Sequence, residues 1–286
     1  MTIKKFNIIG IGELLWDMLP DGKELGGAPA NFSYHCNYFG AKSSIVSALG
    51  NDEKGKEIIS ILNEKKLNYY INYVEKPTGY VSVKLIEGIP SYQIHENVAW
   101  DYIELKNEGI AALKIVDAIC FGSLSQRSEI SFKTIHKALQ LTPKNSLKIF
   151  DINLRQTYFN KRIIEDSLKI ANILKLNDEE LVALTKMFDL AKTQEEACLQ
   201  LLKQFNLKLV ALTNGSKGSI LIIKNEISRL EVPKIKVVDT IGAGDSFTAA
   251  MVIGLLNEKP LRQLHKEAVA HAAKVCMYNG GTPNIR

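Results

Sequence analysis

The sequence predicts an α/β fold with a mostly parallel central sheet covered by helices on both faces. One observation is a set of short, β-branched apolar runs bounded by turn residues, which is typical of buried strands. The other is a set of longer stretches whose apolar residues recur every three or four positions, which is typical of amphipathic helices. The two kinds of segment alternate along the chain, as they do where helices connect parallel strands.

The predicted elements follow one another with short connections. The strands are FNIIGI, SSIVSAL, DAICFGS, LKIFDIN, ANILKL and LKLVALT, and the helices are NFSYHCNYF, EKGKEIISILNEKK, SFKTIHKALQL, RIIEDSLKI and EEACLQLLKQF. No linker rich in Pro, Gly or Ser divides the chain. We therefore expect one domain over residues 1–286.

Two segments depart from this alternation, about residues 13–25 and 78–100. Both read as short alternating strands around turn signals such as Glu87-Gly88. We expect them to form a small β-sheet lid, discontinuous in sequence, that excludes water from reacting groups. Since such short strands cannot bury both faces alone, we expect the lid to pack on the binding site or on a second copy, giving a homodimer joined through lids.

Composition excludes several classes of function. The 286 residues are 46% hydrophobic, which is enough for a substantial core, and the net charge of +5 comes from scattered lysines. Without a polybasic patch or an apolar run near ~18 residues, we expect neither nucleic acid nor a membrane as partner. The four cysteines are far apart and lack zinc-ligand spacing, so we expect reduced thiols and a cytoplasmic protein. They are Cys36, Cys120, Cys198 and Cys276.

The stretch VVDTIGAGDSFTAAMVIGLL points to chemistry. Its first turn of helix leaves backbone N–H groups without intrahelical partners, at the positive end of the helix dipole. Gly242, Ala243 and Gly244 have little side-chain bulk, so phosphate oxygens could approach these amides. Asp245 lies in the same turn, where the dipole favours its ionised form, and could accept a proton from an attacking hydroxyl. The alternative is an Asp that caps the helix after a glycine turn.

Common motifs of other enzyme classes are missing from the sequence. GIGELL begins like a dinucleotide-binding G-x-G-x-x-G but has Leu15 in place of the third glycine. No G-x-x-x-x-G-K-[ST] motif, no G-x-S-x-G elbow and no H-E-x-x-H motif occurs. The obvious nucleotide P-loop, hydrolase and metalloprotease interpretations are therefore excluded.

Two regions together resemble the signatures of the ribokinase-like, or PfkB, carbohydrate kinases. They are GGAPANFSYHCNYFGA followed by LGNDEKG, and DTIGAGDSF, and the resemblance runs from Asn7 to Pro283. It implies a three-layer α/β/α domain and transfer of the γ-phosphoryl group of ATP to a sugar hydroxyl, with Asp245 as general base. GELLWDMLP and ENVAWD resemble segments of bacterial fructokinases. The implied product is fructose 6-phosphate, although spacing alone does not distinguish O6 from O1.

The resemblance also implies a sugar site at Asp17, Gly26, Gly27 and Asn31. Fixed carboxylate and amide groups can each bond two sugar hydroxyls, and glycine lets the backbone come close. Alternatively, Asp17 is a turn residue and Asn31 a helix cap. FDINLRQTY places Arg155 after a strand, where a guanidinium would bind phosphate oxygens, unless it forms only a surface ion pair.

Nucleotide and magnesium contacts are implied at two further stretches. LKLNDEEL matches an N-x-x-E motif at Asn177 and Glu180, which in the resemblance organise hydrated Mg²⁺ and the phosphates. The same pattern is also a helix capping box. In LTNGSKGS, Thr213, Gly215 and Gly218 would flank the adenosine.

The resemblance further implies a K⁺ site. Asp239 would supply it together with backbone carbonyls around Ile241 and the C-terminal Gly-Gly, unless Asp239 simply braces the anion loop. Alternative functions are a kinase of ribose, 2-keto-3-deoxygluconate or a nucleoside, and a non-catalytic regulator that binds nucleotide or sugar. An intact Asp245 beside Gly242-Ala243-Gly244 argues against the regulator. The fold by itself would not, because one fold can host different functions.

Overall fold

A computed structural model describes residues 5–19, 22–86 and 89–285 of the chain and places the described strands in two sheets. The larger sheet contains β1 (Asn7–Ile11), β4 (Lys42–Gly50), β5 (Asn68–Val74), β8 (Ala118–Phe121), β9 (Leu147–Asp151), β10 (Ile173–Asn177), β11 (Leu209–Thr213), β12 (Ser219–Ile223) and β13 (Glu226–Leu230). Their order is β13-β12-β11-β10-β9-β8-β1-β4-β5. In this order, all the strands from β11 across the sheet to β5 run parallel to one another. Strands β12 and β13 add an antiparallel hairpin at one edge. The predicted mostly parallel sheet is confirmed.

Helices cover both faces of this sheet. They are α1 (Ala28–Tyr38), α2 (Glu53–Glu64), α3 (Asn107–Leu113), α4 (Glu129–Leu141), α5 (Lys161–Ile170), α6 (Asp178–Phe188), α7 (Gln194–Gln204), α8 (Ala243–Leu256) and α9 (Leu261–Val275). Apolar side chains of α3 to α7 share one core with the sheet, while those of α1, α2, α8 and α9 lie in cores on the other face. The predicted three-layer α/β/α arrangement is confirmed.

The smaller sheet is the predicted lid. It contains β2 (Leu15–Leu19), β3 (Gly22–Gly26), β6 (Gly79–Ile86) and β7 (Ile89–Ile94), in the order β3-β2-β6-β7. The central pair is parallel and joins the two sequence segments, and each outer strand is antiparallel to its neighbour. The predicted turn at Glu87-Gly88 lies outside the described residues.

The second lid segment is shorter than expected from the sequence. Its strands end at Ile94, and Ala99–Tyr102 form a 3₁₀ turn. Trp100 in ENVAWD is fully buried, with the Arg127 guanidinium 3.9 Å from its ring centroid, and Arg127 also pairs with Asp101 at 2.8 Å. This segment therefore packs the lid against the core instead of extending the lid.

Two further expectations concern the chain as a whole. Among the described residues, no helix combines the length and apolarity needed to cross a membrane. That residues 1–286 form one domain stays a prediction.

Candidate active site

A cavity of about 980 Å³ lies between the lid and the carboxyl ends of the parallel strands. Ligands of open α/β sheets bind at this end of the strands, and the volume suits a small-molecule site. The structure brings most of the sequence-predicted residues to its wall: Asp17, Gly27, Asn31, Arg155, Asn177, Glu180, Thr213, Gly215, Gly242, Ala243, Gly244 and Asp245.

Helix α8 begins at this cavity without a side-chain cap. Its N-cap residue is Gly242, which has φ +75, and a Cβ there would lie 2.6 Å from the Cα of Gly281. The N–H of Ala243 donates to the Thr240 carbonyl at 3.2 Å, so this residue contributes a small side chain but not the free amide that the sequence predicted. The N–H groups of Gly244 and Asp245 find no acceptor within the part of the chain described. Two free amides thus face the cavity at the positive end of the helix.

The Asp245 carboxylate is held beside these amides. Asn31 Nδ2 donates to Asp245 Oδ2 at 2.8 Å. Burial, followed by the nearby Asp151 carboxylate, raises the pKa of Asp245 to about 7. These effects outweigh the helix dipole, from which the sequence predicted a carboxylate that ionises easily. A pKa near neutral pH suits a general base.

Asp17 lies on lid strand β2, opposite Glu24 on β3, and is not a turn residue. Burial and then the charge of Glu24 raise the pKa of Asp17 to about 6. A Cβ at Gly26 would lie 2.2 Å from Asp17 Oδ2, so the glycine makes room for the carboxylate. Gly26 therefore shapes the site from behind and does not line the cavity.

Sequence reasoning missed Glu13. A Cβ at Gly27 would lie 2.4 Å from the Glu13 carbonyl oxygen, so the glycine lets the two segments meet. The Glu13 side chain lines the cavity, is 2% exposed, and its Oε2 has no hydrogen-bond partner among the described residues. Burial raises its pKa. The available signal was a lone carboxylate in the apolar run IIGIGELLW.

Arg155 reaches the cavity from the loop between β9 and α5. The side chain is exposed, and the alternative of a surface ion pair is not found among the described residues. The loop is fastened to lid strand β7: Gln156 Nε2 donates to the Tyr92 carbonyl at 2.6 Å, and the Tyr158 hydroxyl donates to the Ile94 carbonyl at 3.1 Å. Arg155 therefore lies where the lid meets the main sheet.

Helix α6 begins at the same cavity with a complete capping box. Asn177 Oδ1 accepts from the Glu180 N–H at 2.8 Å, and Glu180 Oε2 accepts from the Asn177 N–H at 2.7 Å. The second oxygen of Glu180 accepts from the Leu154 N–H at 3.0 Å. The capping alternative is therefore realised, while both side chains also line the cavity.

Sequence reasoning also missed a buried charged cluster behind α8. Lys175 Nζ lies 3.1 Å from Asp151 Oδ1, and the Thr248 hydroxyl donates to Asp151 Oδ2 at 2.9 Å. The signals were a lysine inside the apolar strand ILKLN and an aspartate at the end of LKIFD. Both are unusual positions for a charge that has no partner.

At the other end of the cavity, two of the three residues of the predicted nucleotide loop line the wall and the third does not. Thr213 ends β11 and Gly215 starts a 3₁₀ turn, and both line the cavity. Gly218 does not; its φ is +109 and a Cβ there would lie 2.3 Å from the Leu230 carbonyl, so this glycine serves packing on β13. The neighbouring wall is largely apolar: Pro233, Ile235, Val237, Ala272, Ala273 and Cys276.

Asp239 braces the anion loop. Its Oδ1 accepts from the Ile241 N–H at 3.0 Å, and its Oδ2 accepts from the Gly280 N–H at 2.8 Å. Both carboxylate oxygens are thus engaged by amides, which favours the bracing alternative over a K⁺ ligand. Within the described residues, no group of three or more His, Cys, Asp or Glu side chains is arranged to hold a metal ion.

The family follows from comparison with known proteins. Residues 21–286 match the model of the pfkB family carbohydrate kinases. The chain belongs to this family. It is 32% identical over 275 residues to the "Putative sugar kinase PH1459" of Pyrococcus horikoshii, covering 89% of this chain and 84% of that protein. The structure of PH1459 solved in complex with ATP superimposes with a TM-score of 0.80 at 29% identity, over 96% and 94% of the two chains.

A plant relative carries a more specific name. "Probable fructokinase-5" of Arabidopsis thaliana is 29% identical over 275 residues, covering 87% of this chain and 82% of that protein. Membership of the family shows that the chain is a carbohydrate kinase. Which sugar accepts the phosphoryl group depends on the residues that line the site.

Proposed function

We propose that this carbohydrate kinase transfers the γ-phosphoryl group of ATP to a hydroxyl of fructose, giving fructose 6-phosphate. The observation that carries the proposal is the meeting of two free amides at the start of α8 with the Asp245 carboxylate in one cavity. An anion cradle and a base at the same point are what phosphoryl transfer to an alcohol requires.

The transfer is direct. Asp245 accepts the proton of the acceptor hydroxyl as its oxygen bonds to the γ-phosphorus. The bond from that phosphorus to the β,γ-bridging oxygen breaks, and its electron pair leaves on ADP. The amides of Gly244 and Asp245 stabilise negative charge on the transferring group and the leaving oxygen. No phosphoenzyme forms.

Asn31 has two roles in this proposal. Its Nδ2 already donates to Asp245, which orients the base. Its Oδ1 has no hydrogen-bond partner among the described residues and is available to a sugar hydroxyl after a small adjustment. The predicted sugar contacts at Asp17 and Gly27 lie at the same end of the cavity.

ATP would occupy the end lined by Thr213 and Gly215, where the apolar wall suits a base. That PH1459 has been solved with ATP supports the same ligand here. Mg²⁺ bound with ATP would neutralise phosphate charge, and Asn177 and Glu180 would hold it through water, because their direct hydrogen bonds are spent on the capping box.

The charge of the acceptor end favours a neutral sugar. Glu13 and Asp17 face the cavity there with Arg155 as the facing cation. Asp17, whose pKa is about 6, is ionised at neutral pH and would repel a carboxylate-bearing acceptor such as 2-keto-3-deoxygluconate, or a phosphorylated one. Fructose is supported over ribose by the GELLWDMLP segment and the fructokinase relative. ENVAWD supports it only through lid packing.

An ADP-release assay over fructose, ribose, glucose, 2-keto-3-deoxygluconate and adenosine tests the proposal. We expect fructose to have the highest kcat/KM and phosphorus NMR to assign the product phosphate to O6. A rival preferred by more than about tenfold would remove fructose and leave the kinase. ADP release from none of a broad sugar panel would remove catalysis and favour the regulator.

We also propose a cytoplasmic homodimer joined through the lids. Strands β3 and β7 are the outer strands of the lid, and an open sheet edge invites pairing. The free state of all four cysteines suits a reducing compartment. Light scattering of a fully active monomer at micromolar concentration would refute the dimer.

A further inference from the structure

Lys175 occupies an unusual place for a lysine. It lies on β10, a strand whose other buried residues are apolar, and its side chain is 9% exposed. The small exposed part faces the active-site cavity, since Lys175 is one of the residues that line it. A buried ammonium is costly unless its partners are well placed, so its surroundings indicate its use.

Those surroundings join Lys175 to the start of α8. Its Nζ is 3.1 Å from Asp151 Oδ1. A Cβ built on Gly244 would lie 2.9 Å from the same Nζ, so the ammonium lies against the turn that carries the free amides. Glycine at 244 is thus needed for the lysine as well as for an incoming phosphate.

The local charge balance also calls for this cation. Asp151, Glu180 and Asp245 all raise the pKa of Lys175, which keeps it protonated against the effect of burial. Three carboxylates around a phosphate site would repel the phosphoryl group. The ammonium offsets part of this repulsion at the point where the amides lie.

We propose that Lys175 is a catalytic residue that donates a hydrogen bond to the transferring phosphoryl group beside the amides of Gly244 and Asp245. Asp151, itself fixed by Thr248, is the positioning residue that aims the ammonium. The proposal rests on the proposed kinase function and adds a cation to its site. Unlike the planar guanidinium of arginine, an ammonium acts on phosphate as a point charge and does not need paired contacts.

A double-mutant cycle separates this role from a structural ion pair. Lys175→Met should lower kcat at least about 100-fold, as loss of one donor to developing charge does. It also strands a buried carboxylate and is expected to lower the melting temperature. Adding Asp151→Asn removes that carboxylate, so the double variant should melt closer to the parent while kcat stays about 100-fold down. Asp151→Asn alone keeps the ammonium but removes the group that positions it, so its kcat should lie between those of the parent and Lys175→Met.

Binding of a transition-state mimic gives a second readout. The probe is ADP with aluminium fluoride and the best sugar. We expect the double variant to bind ADP within severalfold of the parent and the trapped complex about 100-fold more weakly. Lys175→Met should also move the acid limb of the kcat/KM profile to higher pH, because Lys175 lowers the pKa of Asp245.

Two outcomes contradict the proposal in distinguishable ways. If the double variant turns over within about threefold of Asp151→Asn and traps the mimic equally well, Lys175 is only a structural partner and the kinase proposal stands. If the parent binds no ADP and phosphorylates no sugar, the proposed function fails and this role fails with it.

Discussion

Helices α6 and α8 begin at the same cavity but treat their first turns in opposite ways. At α6, the side chains form a capping box in which Glu180 accepts from the Asn177 N–H and Asn177 accepts from the Glu180 N–H. At α8, Gly242 provides no side-chain cap, and the amides of Gly244 and Asp245 stay free. Both helices direct a positive dipole at the cavity, but the first turn of α6 carries three carboxylates and that of α8 carries one, so α8 is the better site for an anion.

The same position in each helix carries a carboxylate. Glu180 and Asp245 are both the third residue after the N-cap. Glu180 is long enough to fold back onto the N-cap amide. Asp245 is one methylene shorter and is held by Asn31 from another helix. A similar sequence pattern thus gives a capping box at one helix and, at the other, a carboxylate that lines the cavity without capping its own helix.

Distorting the uncapped first turn of α8 should have the largest effect on turnover. Gly242→Ala places a Cβ 2.6 Å from the Gly281 Cα, in a backbone with φ +75. We expect kcat to fall at least about 100-fold as the turn shifts, and stability to fall by about 1–3 kcal/mol. Steady-state kinetics and chemical denaturation measure the two.

Gly40→Ala is the matched control, because Gly40 also has positive φ but no atom within 4 Å of a built Cβ. Gly40→Ala should lose a similar amount of unfolding free energy through backbone strain and keep full turnover. Equal turnover of the two variants would show that an open turn at α8 is not needed.

The pH profile of activity tests the comparison of the two helices through an effect of intermediate size. Asp245 must be deprotonated to act, and its pKa is about 7, so activity is present above that pH and lost as pH falls through it. With both substrates below KM, kcat/KM should fall about tenfold per pH unit on the acid side.

Asn31→Ala should move this acid limb to higher pH, because the Asn31 hydrogen bond lowers the pKa of Asp245. Asn177→Ala, at the capped helix, is the control and should leave the limb in place. A limb that moves with Asn177 and not with Asn31 would reverse the roles assigned to the two helices.

The smallest effect is expected from the cap of α6. Asn177→Ala removes the acceptor for the Glu180 N–H and should cost about 1 kcal/mol of unfolding free energy, measured by urea denaturation. Turnover should stay within severalfold of the parent, since magnesium contact through water tolerates a small shift. A loss near 100-fold would make Asn177 part of the transfer site.

The sequence was sufficient for the parallel sheet, the lid strands and the uncapped turn, because periodicity and the glycine pattern are local signals. It did not reveal which oxygen meets which amide. N-x-x-E is compatible with both capping and metal binding, and the distances decided that capping occurs. For Asp239, likewise, the amide contacts favour bracing.

Residues missed from the sequence are those whose meaning depends on distant neighbours. Lys175 and Asp151 are on separate strands, 24 positions apart, and become a pair only through the register of β9 with β10. Glu13 acquires its role from the approach of α1 at Gly27. The pKa of Asp245 was misjudged because neither the burial of its carboxylate nor the nearby Asp151 can be recognised from sequence.

The central claim is that Asp245 at the uncapped helix is the base of phosphoryl transfer, and Asp245→Asn tests it most directly. Asn keeps the size, can still accept from Asn31, and caps a helix about as well as Asp, but cannot take the proton. We expect thermal melting close to that of the parent, ATP and sugar binding within severalfold, and kcat lower by at least about 100-fold. Turnover within about threefold of the parent, with the same melt, would contradict the claim.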